Sequence, residues 1–230
     1  AAACSSGGTG SGNGGSGSTK ASDQSQSTKA SSGGTLTVDM SFVYKTLDPA
    51  MMYENTGRLV LNGVYDTLVA FQGGDLSKVV PRLATSWTAS PDNTKFTFKL
   101  RDDVKFSNGK ALTADDVVFS LTRVQNMKGS PSQFYTGLTF SKVDDHTVSV
   151  TSDKPNPNVL ALLTLPYAGI MSKDIASEHG ATDAADAAQK DSAGSWLDQH
   201  SAGTGPYVVD SVDPKSQIVL TANPNYWGDA

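Results

Sequence analysis

The sequence predicts a folded body of mixed strands and helices carried behind a long flexible tether. Residues 1–34 are more than half glycine plus serine and hold no aromatic residue and no aliphatic one larger than alanine. Such a segment cannot bury enough surface to offset its ordering entropy. It is expected to be disordered, with a random-coil span of roughly 30 Å. Further on, Phe96, Phe98 and Leu100 alternate with Thr97, Lys99 and Arg101, the period of a strand covered on one face. Soon after, "LTADDVVFSLTRV" places Thr113 as a helix N-cap with Asp116 three residues on, a close variant of the capping box. Val117, Leu121 and Val124 then repeat at helical spacing.

In chain order, Leu36, Val38 and Met40 alternate with polar neighbours and read as a strand that ends at the Asp48-Pro49 turn. "TGRLVLNGVYDTLVAF" (56–71) spaces Leu59, Val60, Val64 and Leu68 as a helix would, then straightens toward a strand. Trp87 precedes a Pro91-Asp92-Asn93 turn, and the strand of Phe96 and Phe98 follows. Val104 and Phe106 resume an extended course until Asn108-Gly109 turns the chain. Trp87, Phe96, Phe98 and Phe106 are assigned to the core. At the start of the capped helix, Leu112 and Val117 stand where a hydrophobic staple would. Asp115 and Asp116 suit the positive end of its dipole, so this acidic pair needs no catalytic role. "HTVSVTS" is a short strand, and 172–199 is an alanine-rich helical region interrupted by Gly180 and Gly194. "GTGPYVVDSVDPKSQIVLTANPNYWG" reads as a hairpin, Tyr207–Val212 and Ile218–Ala222, closed by an Asn-Pro-Asn turn. Gly203, Gly205 and Pro206 are expected to shape a tight turn through backbone geometry.

Several function classes are disfavoured. The formal net charge is −5 and basic residues form no cluster larger than two or three, so nucleic acid is not expected as a partner. "VLALLTLPYAGI" (159–170) is too short to span a bilayer and carries Pro166, which makes it a buried segment. "GSGNGG" (10–15) and "GNGGSG" (12–17) match a dinucleotide-binding glycine pattern, but neither follows an apolar strand or opens a helix. His146, His179 and His200 lie far apart, without metal-ligand spacing, and are assigned to the surface. Acidic pairs occur at Asp102-Asp103, Asp115-Asp116 and Asp144-Asp145, with no nucleophile elbow or zinc helix beside them. No enzymatic activity, cofactor or metal is expected.

The single cysteine, Cys4, rules out an intrachain disulfide. Small residues before it and a polar tether behind it resemble the processing site of a bacterial lipoprotein, in which the cysteine becomes lipidated. Ala2 and Ala3 fit the small positions, while Ala1 stands where leucine is usual. A domain held at a membrane needs a spacer, and the tether supplies one.

The folded segments together resemble the N-terminal portion of the family 5 solute-binding proteins of ABC importers, the peptide, nickel and opine binders. "VYDTLV", then "PRLATSWTASPDNTKFTFKLRDDVKFSNGKALTADDVVFSLTRV", then "VDDHTVSVT", "GTGPYVV" and "NPNYWG" stand in family order and spacing, from about Thr35 to Ala230. The resemblance implies an α/β, periplasmic-binding-protein-like fold of type II, cluster C. Residues 35–65 and 160–230 would form part of the first lobe, and 66–158 an extra α+β subdomain. The segment resembling "NPNYWG" lies near mid-chain in that family, so the second lobe is expected to be missing from this chain.

The family resemblance implies a receptor that holds an oligopeptide or similar small solute in an interlobe cleft. It would act as an extracytoplasmic monomer, periplasmic or on the outer face of the cytoplasmic membrane, delivering cargo to ABC permease subunits. An exported envelope hydrolase, or a sensory or scaffolding lipoprotein on the same fold, is the alternative. In the family the loop after the first strand lines the cleft. Aligned on Asp48-Pro49 and Tyr65-Asp66, that loop is "AMMYENT", which makes Met52, Tyr53, Glu54 and Asn55 candidate ligand contacts. An aromatic loop of the extra subdomain, here "SPSQFYTG", adds Phe134 and Tyr135. Met adapts to varied ligands, and Tyr offers a flat face with a hydroxyl.

Overall fold

The computed structural model describes residues 35–38 and 44–228. The expected tether and Cys4 therefore lie outside the described residues. Residues 35–38 belong to an N-terminal unit (1–39) and have no regular secondary structure, with Leu36 88 % and Val38 56 % exposed. The expected strand at Leu36–Met40 is thus absent over its described part, and Met40 lies outside it. Alternation by itself does not make a strand, which also needs a neighbour for its backbone hydrogen bonds.

In the second unit, α1 (Asn55–Val64) buries Thr56, Gly57, Val60, Leu61 and Val64. The helix forms where expected, but Leu61 replaces Leu59 on the buried face; Leu59 is 48 % exposed. At 3.6 residues per turn, Leu61 falls between Gly57 and Val64 on the core stripe, and Leu59 falls outside it. The helix ends as Tyr65 turns extended, and its N–H still bonds to the Leu61 carbonyl at 2.9 Å. β1 (Val69–Gln72) and β2 (Asp75–Pro81) then form an antiparallel ribbon.

β3 (Ala84–Ala89), β4 (Lys95–Leu100), β5 (Leu138–Asp144) and β6 (Thr147–Ser152) make a four-stranded antiparallel sheet in the order β3-β4-β6-β5. The alternation at Phe96, Phe98 and Leu100 becomes its covered face, with Phe96 opposite Val150 and Phe98 opposite Val148. Trp87 packs partly buried beside this core, while Phe106 is buried. Val104 and Phe106 do not extend the sheet; the chain there holds one isolated bridge, Lys105 to Ala111. Both side chains are nonetheless buried, so burial alone produced the alternating pattern.

α2 (Ala114–Asn126) lies against β5 and β6, with Val117, Leu121 and Val124 buried. The Asp116 carboxylate accepts hydrogen bonds from the Thr113 N–H (2.9 Å) and hydroxyl (2.8 Å). It also accepts one from the Lys173 N–H at 2.8 Å, so the cap of α2 doubles as a tie to the segment after residue 171. Burial pushes the Asp116 carboxyl up from its ordinary value, against the pull of those donors. Asp115 pairs with Lys142 at 2.6 Å on the surface.

Beyond the sheet, α3 (Val159–Leu162), α4 (Lys173–Glu178), α5 (Ala187–Lys190) and α6 (Gly194–Leu197) are short. Gly180 (φ +91°) follows the end of α4 as expected, whereas Gly194 opens α6 and does not interrupt it. His146, His179 and His200 are exposed, and Trp196 stacks between His179 (4.0 Å) and His200 (4.8 Å). β7 (Tyr207–Asp213) and β8 (Gln217–Ala222) form the expected hairpin.

Gly203 and Gly205 have a different role from the expected tight turn. A Cβ on Gly203 would lie 1.9 Å from the Val64 carbonyl oxygen, and one on Gly205 2.6 Å from that of Gly63. Neither has positive φ, so space against the last turn of α1 is what requires glycine.

Candidate ligand-binding site

Two buried carboxylates hold the frame of the site. Asp48 begins the loop before α1. Its carbonyl accepts the N–H groups of Met51 (3.0 Å) and Met52 (2.8 Å), and its carboxylate that of Ala50 (2.9 Å). Arg123 of α2 grips the same carboxylate through Nη1 and Nη2, both at 2.7 Å. Its remaining donors reach Asp191 at 2.8 and 3.0 Å. All three side chains are almost wholly buried. Burial alone would pull the guanidinium down, but the two carboxylates hold it well above its ordinary value. Burial likewise raises Asp191, and Arg123 with the N–H groups of Thr182 and Ala193 overrides it, leaving that carboxyl low.

Asp66, fully buried, is the second anchor. It pairs with Arg82 and accepts from the Thr204 hydroxyl (2.9 Å) and the Trp227 indole N–H (2.8 Å), while Arg101 lies 4.5 Å over the Trp227 ring. Asn223 donates to the Gly205 carbonyl (2.8 Å) and Asn225 to that of Ser107 (3.0 Å). The "NPNYWG" segment is therefore a clasp, with Asn223, Asn225 and Trp227 each tied to a different stretch of chain.

The anchored loop reaches the segment before Phe134 by close backbone approach. A Cβ on Gly129 would lie 2.4 Å from the Ala50 carbonyl oxygen and 2.7 Å from the Met51 sulfur. Gly129 leads into a 3-10 helix, Ser130–Tyr135, with Pro131 in its first turn. Gln125 of α2 fixes the far end, donating to the carbonyls of Tyr135 (2.6 Å) and Leu138 (2.8 Å). Phe134 and Tyr135 then point different ways. Tyr135 is fully buried, its hydroxyl donating to the Leu162 carbonyl at 3.2 Å, and burial raises its phenol above the ordinary value. Phe134 is half-buried and meets two other rings.

Tyr53, Phe134 and Tyr167 form a triangle of near-parallel rings. Centroids are 6.3 Å apart for Tyr53–Phe134, 5.9 Å for Tyr53–Tyr167 and 5.7 Å for Phe134–Tyr167, with interplanar angles of 10 to 22°. Tyr167 belongs to a 3-10 turn, Pro166–Ala168, and forms the buried floor; Tyr53 is 49 % exposed. Burial pushes the Tyr167 phenol up, Arg58 pulls it down, and Tyr53 and Glu54 push it further up. Glu54 and Asn55 lead into α1; Glu54 is half-buried with its Oε2 on the Tyr53 N–H (3.3 Å), and Asn55 is exposed.

Of the six residues expected at a ligand site, Tyr53 and Phe134 come together, Glu54 hydrogen-bonds the Tyr53 N–H, and Asn55 is exposed at the start of α1. Met52 and Tyr135 belong to the core at 0 % exposure, a correction to the expected set. The loop turns at Asp48, so alternate side chains face inward, and only one of the adjacent aromatics Phe134 and Tyr135 can face out. Sequence reasoning missed Tyr167 because it lies inside the apolar run 159–170. Pro166 immediately before it was the available signal that the run breaks and can present a ring. Two shallow clefts of about 290 Å³ lie elsewhere, one lined by Lys110, Thr113, Asp116 and Asp174, the other by Gln125, Asn126 and Ser132. Among the described residues no cluster of three or more His, Cys, Asp or Glu side chains is placed to hold a metal, and no helix is long and apolar enough to cross a membrane.

The mixed sheet-and-helix body defines a type II periplasmic-binding-protein-like fold. The family model described as Bacterial extracellular solute-binding proteins, family 5 Middle matches residues 78–230, and the chain belongs to this family. It is 33 % identical over 185 residues to the dipeptide-binding protein of Escherichia coli K12, covering 72 % of this chain and 33 % of that protein. Heme-binding protein A of Haemophilus influenzae is 32 % identical over 237 residues, covering 90 % and 42 %. Among solved structures, MoaA in complex with mannopinic acid, from A. tumefacien R10, superposes with a TM-score of 0.69 at 32 % identity, covering 80 % of this chain and 36 % of that one. The chain thus spans about a third to two fifths of the length of these relatives.

Proposed function

We propose that the chain forms part of an extracytoplasmic solute-binding protein of an ABC import system, taking short peptides or similar small solutes on the Tyr53–Phe134–Tyr167 face and passing them to membrane permease subunits. The observation that carries this reading is the stacked ring face itself, partly exposed and set on a loop held by buried ion pairs. A binding site needs apolar faces and a few placed polar groups, and rigid support under them lowers the ordering cost of binding. In this reading residues 66–158 form an extra subdomain and the segments on either side of it the first lobe. Phe134 would then come from the one, and Tyr53 and Tyr167 from the other. The cargo leaves unaltered, and Cys4 carries a lipid that holds the protein at the membrane.

Calorimetry of the intact protein with pooled two- to five-residue peptides tests the cargo. Binding is expected, with peptides recovered unchanged by mass spectrometry and affinity weakened by the double change Tyr53→Ala, Phe134→Ala. No heat and no thermal shift with any pool, or recovery of cleaved peptides, would overturn it.

A further inference from the structure

Arg58 differs from every other arginine in the chain. Arg82 pairs with Asp66, Arg101 with Asp103 and Arg123 with Asp48 and Asp191. Among the described residues, the half-buried Arg58 side chain has no hydrogen bond and no ion pair. An acid stands at helical spacing, since the Arg58 N–H bonds to the Glu54 carbonyl at 3.2 Å. A glutamate four residues before an arginine is the order that favours a helix ion pair. Here the Glu54 carboxylate instead folds back onto the Tyr53 N–H at 3.3 Å. The guanidinium thus meets no described partner, and its charge acts on the Tyr167 phenol. The Tyr53 and Tyr167 hydroxyls likewise donate to no described residue. A cation that acts on the ring face and the two hydroxyls of its tyrosines therefore have no partner among the described residues.

We infer that Arg58 selects solutes that carry a carboxylate, holding that group at the edge of the Tyr53–Phe134–Tyr167 face. This rests on the ring face being the solute site. A guanidinium binds a planar carboxylate through two parallel N–H donors, and the rings take the flat or apolar part of the same molecule. Glu54, also close to Tyr167, disfavours a doubly charged phosphate more than a singly charged carboxylate.

The test uses the intact protein with dipeptides ending in phenylalanine, as free acids and as C-terminal amides, by calorimetry. The unaltered protein is expected to prefer the acids. Arg58→Met should weaken the acids by about tenfold or more and leave the amides unchanged, and Arg58→Lys should restore part of the loss. Equal weakening of acid and amide, or no change for the acid, overturns the assignment of Arg58. Phe134→Ala separates the two readings, since it should weaken acids and amides alike. If it does so while Arg58→Met is silent, the ring site stands and the carboxylate inference falls. If Phe134→Ala changes neither, the ring site falls. Failure of every free acid to bind the unaltered protein overturns both.

Discussion

Arg123 and Arg58 stand on helices that meet the same loop, and they have opposite fates. Arg123, at 0 % exposure, gives Nε, Nη1 and Nη2 to two buried carboxylates, one of which turns the loop at its first residue. Arg58, half-buried at the other end of the loop, gives its guanidinium to no described residue. Residue type does not separate a paired cation from an unpaired one; whether the fold turns a carboxylate toward it does. Where the fold places two, the charge is consumed in holding the loop still. Where it turns Glu54 aside, the charge meets no described carboxylate.

The largest expected effect breaks that contrast at its structural end. Arg123→Met leaves Asp48 and Asp191 buried without their counter-charge and should destabilise the intact protein by about 3–5 kcal/mol, read from urea unfolding. A loss below about 1 kcal/mol would mean that water reaches these carboxylates and that the loop is held by other means.

A pH series sharpens the same end. The Asp191 carboxyl lies below its ordinary value in the folded protein. Its contribution is therefore fully present above the unfolded value of about 3.9 and is lost as pH falls through the folded one. The stability gap between the unaltered protein and Asp191→Asn should hold from pH 7 to about 5 and narrow below about 4. A gap independent of pH down to 3 would contradict it.

At the recognition end the smallest effect is expected. Arg58→Met removes no hydrogen bond or ion pair between described residues, so stability should move by less than about 0.5 kcal/mol. A loss above about 1.5 kcal/mol in the same urea experiment would place Arg58 with Arg123 as a structural cation.

Much of the fold could be read from the order of residues. The Phe96–Leu100 strand, the Thr113 cap with Asp116 and the hairpin at 207–222 are local patterns, and each appears where its period or cap predicts. The stretches that misled did so for non-local reasons. Leu36 and Val38 alternate like a strand, yet residues 35–38 have no regular secondary structure. Val104 and Phe106 are buried without joining the sheet. At the site, Tyr53 and Phe134 were legible as aromatics in two loops, but nothing in "AMMYENT" or "SPSQFYTG" says that Met52 and Tyr135 turn inward.

By itself the sequence determined the spacing of apolar residues, the caps and turns, and the family pattern from "VYDTLV" to "NPNYWG", because these depend on neighbours within a few residues. Only the tertiary structure decided that Tyr53, Phe134 and Tyr167 share a face, that Trp227 closes on Asp66, and that Arg58 meets no counter-charge among the described residues. Those are matters of which distant segments meet, and they are settled by packing against a common core and by backbone contacts, such as Gly129 on Ala50, that leave no trace in local periodicity.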